Sequence, residues 1–318
     1  MIKVGVIRGG VSSQYDMSLG SGGHVLSTLR SDELKERYKA LDMLIDKEGV
    51  LHMNGRPIQT EDIHKNVDVV FNALHGDFGQ DGKLQQILEQ WSIPYTGSGI
   101  FPSALGYNKK LAKYKFKSMG VKTPDYMIFP EFHPEFDGDE ADYGTRKARE
   151  VWKKMPAPWI VKPIIPGSAM GNHVCKTFPE LVRAFEDAGR KGASVMVEEL
   201  IQGREASVIV VDKFRNKDLY TLPTIELRAG TTVCPGAFTQ KEKEELESLA
   251  GLVHKEFDFN HYSKSNFIIH PRKGVYIFGV DTQPAIHEDS YLHNALQSVG
   301  SSMHEFIDHI VKLAINKK

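Results

Sequence analysis

The sequence predicts an α/β protein of several domains, on three observations. The chain opens directly in an apolar strand, Ile2-Lys3-Val4-Gly5-Val6-Ile7. Residues 67–95 run strand, helix, strand, with glycine-rich loops where the strands end. The length, 318 residues, exceeds what one hydrophobic core ordinarily organises.

The elements follow in order. After the first strand comes a helical pattern around 22–36, then a hairpin-like pair over 40–58. Val67, Val69, Val70 and Phe71 form a buried strand that ends in His75-Gly76-Asp77-Phe78-Gly79-Gln80-Asp81-Gly82. Leu84, Ile87, Leu88 and Trp91 then recur at helical spacing, and Gly97-Ser98-Gly99 makes a second glycine turn. Polar groups beyond the carboxyl ends of strands are where open α/β sheets bind ligands. A helix from Ser103 to Met119, stopped by Gly120, begins a second block. Residues 130–147, rich in Pro, Asp, Glu and Gly, read as a surface loop. Trp159–Pro163 is a strand carrying Lys162. Further strands are expected at 195–199, 206–211 and 275–280, and an amphipathic helix at 302–316 closes the chain. The domains expected are 1–103, parallel α/β in character, then 104–193 and 194–318.

Composition narrows the function classes. Hydrophobic residues at 41% and charged residues at 25% are ordinary for a globular protein. A formal net charge of −1 gives no electrostatic footprint for nucleic acid or an acidic membrane, so neither is expected as a partner. No apolar run is long enough to span a bilayer. No signal peptide precedes the first strand, so a cytoplasmic location is expected. Cys175 and Cys234 are too few for a disulfide framework and read as reduced thiols.

Two stretches carry anion chemistry. Lys162 stands before Pro163-Ile164-Ile165-Pro166-Gly167-Ser168-Ala169-Met170-Gly171. An ammonium beside a loop of exposed backbone N–H groups suits a polyphosphate, although a surface lysine before an ordinary turn reads the same way. Glu198-Glu199-Leu200-Ile201-Gln202-Gly203-Arg204-Glu205 is the second; a carboxylate that accepts two vicinal hydroxyls suits a ribose.

The wording of these motifs resembles the D-alanine–D-alanine ligases, a family of ATP-grasp enzymes. They carry a His-Gly…Gly-x-Asp-Gly segment followed by Ile-Pro-Tyr-x-Gly-Ser-Gly, as at 75–82 and 93–99 here. The resemblance runs in order along nearly the whole chain. It implies a three-domain ATP-grasp architecture with the nucleotide between the central and C-terminal domains. It also implies ATP-dependent joining of two small amino acids, most simply D-alanine to D-alanine through an acyl-phosphate, as in peptidoglycan precursor synthesis. ATP and Mg²⁺ (or Mn²⁺) are the implied cofactors, D-alanine the small-molecule partner, and a homodimer the implied oligomer.

By the resemblance, Lys109, Lys162, Glu198, Leu200, Ile201 and Glu205 hold ATP. Asp16, His75, Ser168 and Lys264 form the catalytic set, and Ser290, Tyr291 and Ala285 line the amino-acid pocket. Asp16 replaces a glutamate, Lys264 an arginine, Tyr291 an apolar residue and Ala285 a glycine. Metal would fall to Asp281 and Asn266, where the family pattern reads Arg-x-Asp-Phe, then Asn-Glu-x-Asn-Thr-x-Pro-Gly. Asn266 takes the place of an aspartate and Gly279 that of the central glutamate. Fewer carboxylates imply weaker binding of a hard dication. A long lid implied between Glu226 and the helix near 240 has no counterpart. These departures imply weakened ligation. They leave open a degenerate ATP-grasp protein that binds without ligating, and a ligase with another amine acceptor.

Overall fold

The computed structural model describes residues 1–166, 170–228 and 230–316, the side chains of Glu140 and Ala141 apart. The chain divides into two compact units. One comprises residues 1–107, 204–267 and 279–318; the other comprises 108–203 and 268–278.

The first unit holds a five-stranded sheet built on Ile2–Gly9. That strand pairs in parallel with Tyr38–Ile45 and with Val69–Asn72, bringing Val4 opposite Val69 and Val6 opposite Phe71. Strands with both faces covered read as near-continuous apolar runs, and Val4, Val6, Val69, Val70 and Phe71 are all closed to solvent. Leu51–Met53 and Arg56–Pro57 add an antiparallel margin. A second sheet contains Arg204–Asp212, Ile225–Arg228 and Thr231–Val233, with Tyr262–His270 and Gly274–Asp281 on its other side. One core joins the two ends of the chain: Val25, Leu29 and Phe71 pack in the same cluster as Ile209, Tyr262, Phe306 and Ile310. The expected helix at 302–316 is present as Met303–Asn316.

The second unit is an antiparallel four-stranded sheet in the order Tyr126–Phe129, Val195–Glu199, Trp159–Pro163, His173–Cys175. Its core is Trp159, Phe185, Tyr143, Phe129 and their aliphatic neighbours. Helix Phe178–Arg190 starts on a reciprocal cap: the Thr177 hydroxyl accepts the Glu180 N–H, and the Glu180 carboxylate accepts the Thr177 N–H.

Three elements differ from the sequence reading. The helix placed at 22–36 is Tyr15–Leu29. Its glycines suggested a later start, yet a Cβ at Gly22 would lie 2.5 Å from Arg8 Cβ, so the glycine is what lets the helix lie close on the first strand. The single helix 103–119 is two, Ile100–Tyr107 and Lys109–Ser118. Asn108 separates them by leaving the helical region and accepting the N–H groups of Lys110 and Leu111. The loop at 130–147 contains helix Pro134–Asp137 and the start of helix Glu140–Lys154. Acidic and glycine residues masked an inner face carrying Tyr143, Ala148 and Val151, all buried. Both cysteines are free, Cys175 buried and Cys234 partly so.

Candidate active site

The polar loop after Val69–Asn72 is organised from within. Asn72 Nδ2 donates to the Gly79 carbonyl at 2.9 Å and Asn72 Oδ1 accepts the Leu74 N–H at 3.1 Å. Gly82 sits at φ +95°, a conformation natural to glycine, and starts helix Lys83–Gln90.

His75 is 4% exposed. Its Nε2 lies 2.8 Å from Ser21 Oγ, which also accepts the Ile286 N–H at 3.1 Å. Burial pushes the imidazole below its ordinary pKa, opposed by Asp281, so His75 is a neutral ring at pH 7. Ser18 is its companion: its Oγ donates to the Ala73 carbonyl and accepts the Gly9 N–H. Sequence reading met Ser18 and Ser21 only as part of the segment 12–22 that follows the family pattern and gave them no role, though two serines three apart on one helical face are a legible signal.

Asp281 is the charge centre of this unit. Lys264 Nζ stands 3.1 Å from Oδ2. Oδ1 accepts from Gln80 Nε2 at 2.8 Å and from the Gln283 N–H at 2.9 Å. Burial works to raise the Asp281 carboxyl, and the Lys264 ammonium with the Gln283 N–H outweighs it, holding the group below the usual carboxylate range. Gln80 reaches both ways, its Oε1 accepting the Gly76 N–H at 2.7 Å. Gln80 and Gln283 are further residues that sequence reading did not single out. Tyr291 sets its ring 5.4 Å from the Lys264 ammonium. Ser290, 4% exposed, caps helix Tyr291–Ser298 by accepting the His293 N–H at 3.1 Å. Its hydroxyl proton and the helix N–H groups can meet a carboxylate. Ala285 lies half-buried just before, and Asp16 stands exposed in the first turn of Tyr15–Leu29 with no ion pair among the described residues. Glu205 is exposed on strand Arg204–Asp212.

The donor set does not fit the two Mg²⁺ ions that the resemblance implies. Asn266 Oδ1 already accepts the Ser207 hydroxyl at 2.8 Å. Gly279 offers no side chain, and Asp281 is matched by Lys264. Among the described residues no group of three or more His, Cys, Asp or Glu side chains is arranged for a metal.

The second unit presents ammonium groups. Glu198, 1% exposed, takes Lys113 on Oε1 at 2.6 Å and Lys162 on Oε2 at 2.5 Å. Lys113 also donates to Thr123 Oγ1 at 2.6 Å. Burial acts to raise the Glu198 carboxyl, but the two lysines overcome it and hold it low. Lys109 begins its helix with its N–H on the Ile164 carbonyl, and its ammonium has no carboxylate within ion-pair distance among the described residues. Burial, reinforced by Lys162, pushes it down to about 8. Lysines 109, 113 and 162 around one carboxylate leave surplus positive charge, which suits a polyphosphate. Lys113, which the helical spacing Lys109-x-x-x-Lys113 by itself would place with Lys109 on a solvated face, is 2% exposed. Ile201 is buried and Leu200 partly so, the Leu200 N–H donating to the Pro158 carbonyl. Ser168 lies outside the described residues.

Between Glu226 and the helix near 240 there is a short hairpin. Ile225–Arg228 pairs with Thr231–Val233, and the chain then enters Gln240–Glu256. Glu226 Oε2 accepts from Arg228 Nη2 and from the Ala237 N–H, both at 2.9 Å.

Comparison with known proteins decides what this arrangement belongs to. The family model described as the D-ala D-ala ligase C-terminus matches residues 116–312, and the N-terminus model of that ligase matches residues 47–98. The chain belongs to the D-alanine–D-alanine ligase family. Among the relatives, the D-alanine–D-alanine ligase of Fervidobacterium nodosum is 28% identical over 99% of each chain. That of Geobacter sulfurreducens is 29% identical over 97% of this chain and 93% of its own. Two solved structures share the ATP-grasp fold: the D-alanine-D-alanine ligase from Coxiella burnetii (TM-score 0.84, 21% identity, 100% of this chain and 96% of the other) and the VanG D-Ala:D-Ser ligase from Enterococcus faecalis (TM-score 0.84, 22% identity, 98% and 99%). This ligase-family chain covers 99% and 93% of the lengths of those two relatives.

Proposed function

We propose that this chain is an ATP-dependent carboxylate–amine ligase that joins two small amino acids, most simply D-alanine to D-alanine. The observation that carries the reading is the surplus of ammonium groups around Glu198, in a chain whose other unit gathers His75, Lys264 and Ser290. Lys109 and Lys162 hold the polyphosphate of ATP, with Glu198 and Lys113 fixing Lys162. Glu205 meets the ribose, and Leu200 and Ile201 flank the base. In the reaction class, a phosphoryl group passes to the first amino acid's carboxylate and the second amino acid's amine then displaces phosphate.

The residues of this chain bind and orient. Asp16 faces the first ammonium group and His75 the first substrate as a neutral ring. Lys264 offers positive charge to the developing oxyanion, though as a point charge without a guanidinium's fork of donors. Ser290 holds the second carboxylate, and the Ala285 backbone amide helps Lys264 hold the oxyanion. Ser168 completes the proposed catalytic set, and Tyr291 shapes the acceptor side. The same proposal takes 1–103, 104–193 and 194–318 as the functional domains, a homodimer as the assembly and the cytoplasm as the location. Among the described residues no helix is long and apolar enough to cross a membrane.

The test is phosphate release from ATP with Mg²⁺ or Mn²⁺, with and without D-alanine, the products being assayed for dipeptide. Phosphate and dipeptide in equal amounts support the ligase. A second reading is favoured by one observation, the Asp281 carboxylate already engaged by Lys264: a protein that binds nucleotide without ligation. Nucleotide binding without phosphate release would support it.

A further inference from the structure

We propose that this chain takes up its nucleotide with one divalent cation, the one the phosphates chelate, and that the Lys264 ammonium serves Asp281 as a built-in counter-charge in place of a second. The inference rests on the nucleotide binding proposed above.

Each oxygen of Asp281 has a protein partner: Lys264 on Oδ2, and Gln80 Nε2 with the Gln283 N–H on Oδ1. A dication bound there would stand beside a fixed ammonium, and like charges at such range repel strongly in a part-buried setting. The positions on either side supply no compensating charge. Asn266 is a neutral amide whose oxygen is committed to Ser207. Gly279 has no ligand atom, and the space is open: an added Cβ would meet only Asn266 Nδ2, at 3.9 Å. Hard dications of this size are held through carboxylate oxygens. The charge balance at Asp281 is thus already closed by protein groups.

The experiment counts Mn²⁺ by the electron paramagnetic resonance of the free ion, with adenylyl imidodiphosphate as the nucleotide. Bound nucleotide is measured separately by equilibrium dialysis of the labelled analogue. The wild type is expected to bind one Mn²⁺ per bound nucleotide and none without it. Asp281→Asn is expected to leave the count at one. Gly279→Glu combined with Asn266→Asp is expected to raise it to two. Two Mn²⁺ per bound nucleotide in the wild type would overturn the inference and leave the ligase reading standing. A count below one in Asp281→Asn, with nucleotide still bound, would overturn it as well. Failure of the wild type to bind nucleotide would remove the ligase reading and the inference together. The wild-type count decides the matter even if a variant does not fold.

Discussion

The Lys113 ammonium and the Glu198 carboxylate lie 2.6 Å apart, each side chain only 2% exposed. Few ion pairs so enclosed survive unless every partner is satisfied, because both charges have lost their hydration. Here Glu198 also receives Lys162, and Lys113 also donates to Thr123. The pair fixes where Lys162 stands, so a structural device and a binding group share one carboxylate.

Removing that carboxylate should be costly. Glu198→Ala leaves the buried Lys113 and the partly buried Lys162 without their carboxylate, and breaking a buried pair typically costs about 3–5 kcal/mol. A chemical denaturation midpoint should fall accordingly. A midpoint unchanged within error would show that the lysines find other partners.

Nucleotide affinity should fall as pH rises through about 8, the value to which burial pushes Lys109. A bound polyphosphate favours the charged lysine, so the proton must be present for the attraction to operate. Above that pH the affinity should drop by up to about tenfold per unit for a single linked proton. Lys109→Met should bind more weakly and lose this slope. Stability runs the other way: unfolded, this lysine titrates near 10.5 and holds more protons than the folded one between the two values. Burial of Lys109 therefore weakens the fold below about 8, and this penalty is relieved as pH climbs towards 10.5.

Ser21→Ala should damage the His75 corner without touching a nucleotide group. It strands His75 Nε2 and the Ile286 N–H, and leaving buried polar groups unpaired costs about 1–3 kcal/mol. Calorimetry should show the loss in stability. KM for amino acid should rise while KM for ATP holds. Equal rises in both would argue against a place for His75 on the amino-acid side.

His254 ties together a second buried corner, with Nδ1 2.7 Å from Ser263 Oγ and Nε2 2.9 Å from Asp212 Oδ1. His254 and Ser263 are each 1% exposed and Asp212 is partly buried, so the trio is a brace between strands and helix. His254→Ala should cost about 2–4 kcal/mol through the cavity and the orphaned partners. Thermal unfolding would reveal it, and turnover per folded molecule should be unchanged.

Much of the first sheet was legible from local pattern. Val67–Phe71 announced a buried strand, and the glycine loop carrying His75 marked its carboxyl end. Helix limits were less so. Asn108 looked like one more polar residue within a helix, and only its capping bonds show that it divides two. Lys162 and Glu198 were readable as charged residues in anion- and ribose-type stretches, and Lys109 only through the family resemblance. Lys113 was not, because an amphipathic count places a lysine on the wet face unless a distant carboxylate offers it a buried partner.

The sequence by itself determined the alternation of strands and helices, the motifs of the ligase family and the lack of carboxylates at Asn266 and Gly279. Periodicity and residue chemistry are local properties and can be read along the chain. Only the tertiary structure decided which charges are spent. Gln80 and Asp281 are 201 residues apart and share a hydrogen bond of 2.8 Å. Lys264 meets Asp281 only because neighbouring strands set them side by side. Such pairings follow from how the core packs, since burying apolar surface brings distant segments together and the polar groups carried with them must then find partners among themselves.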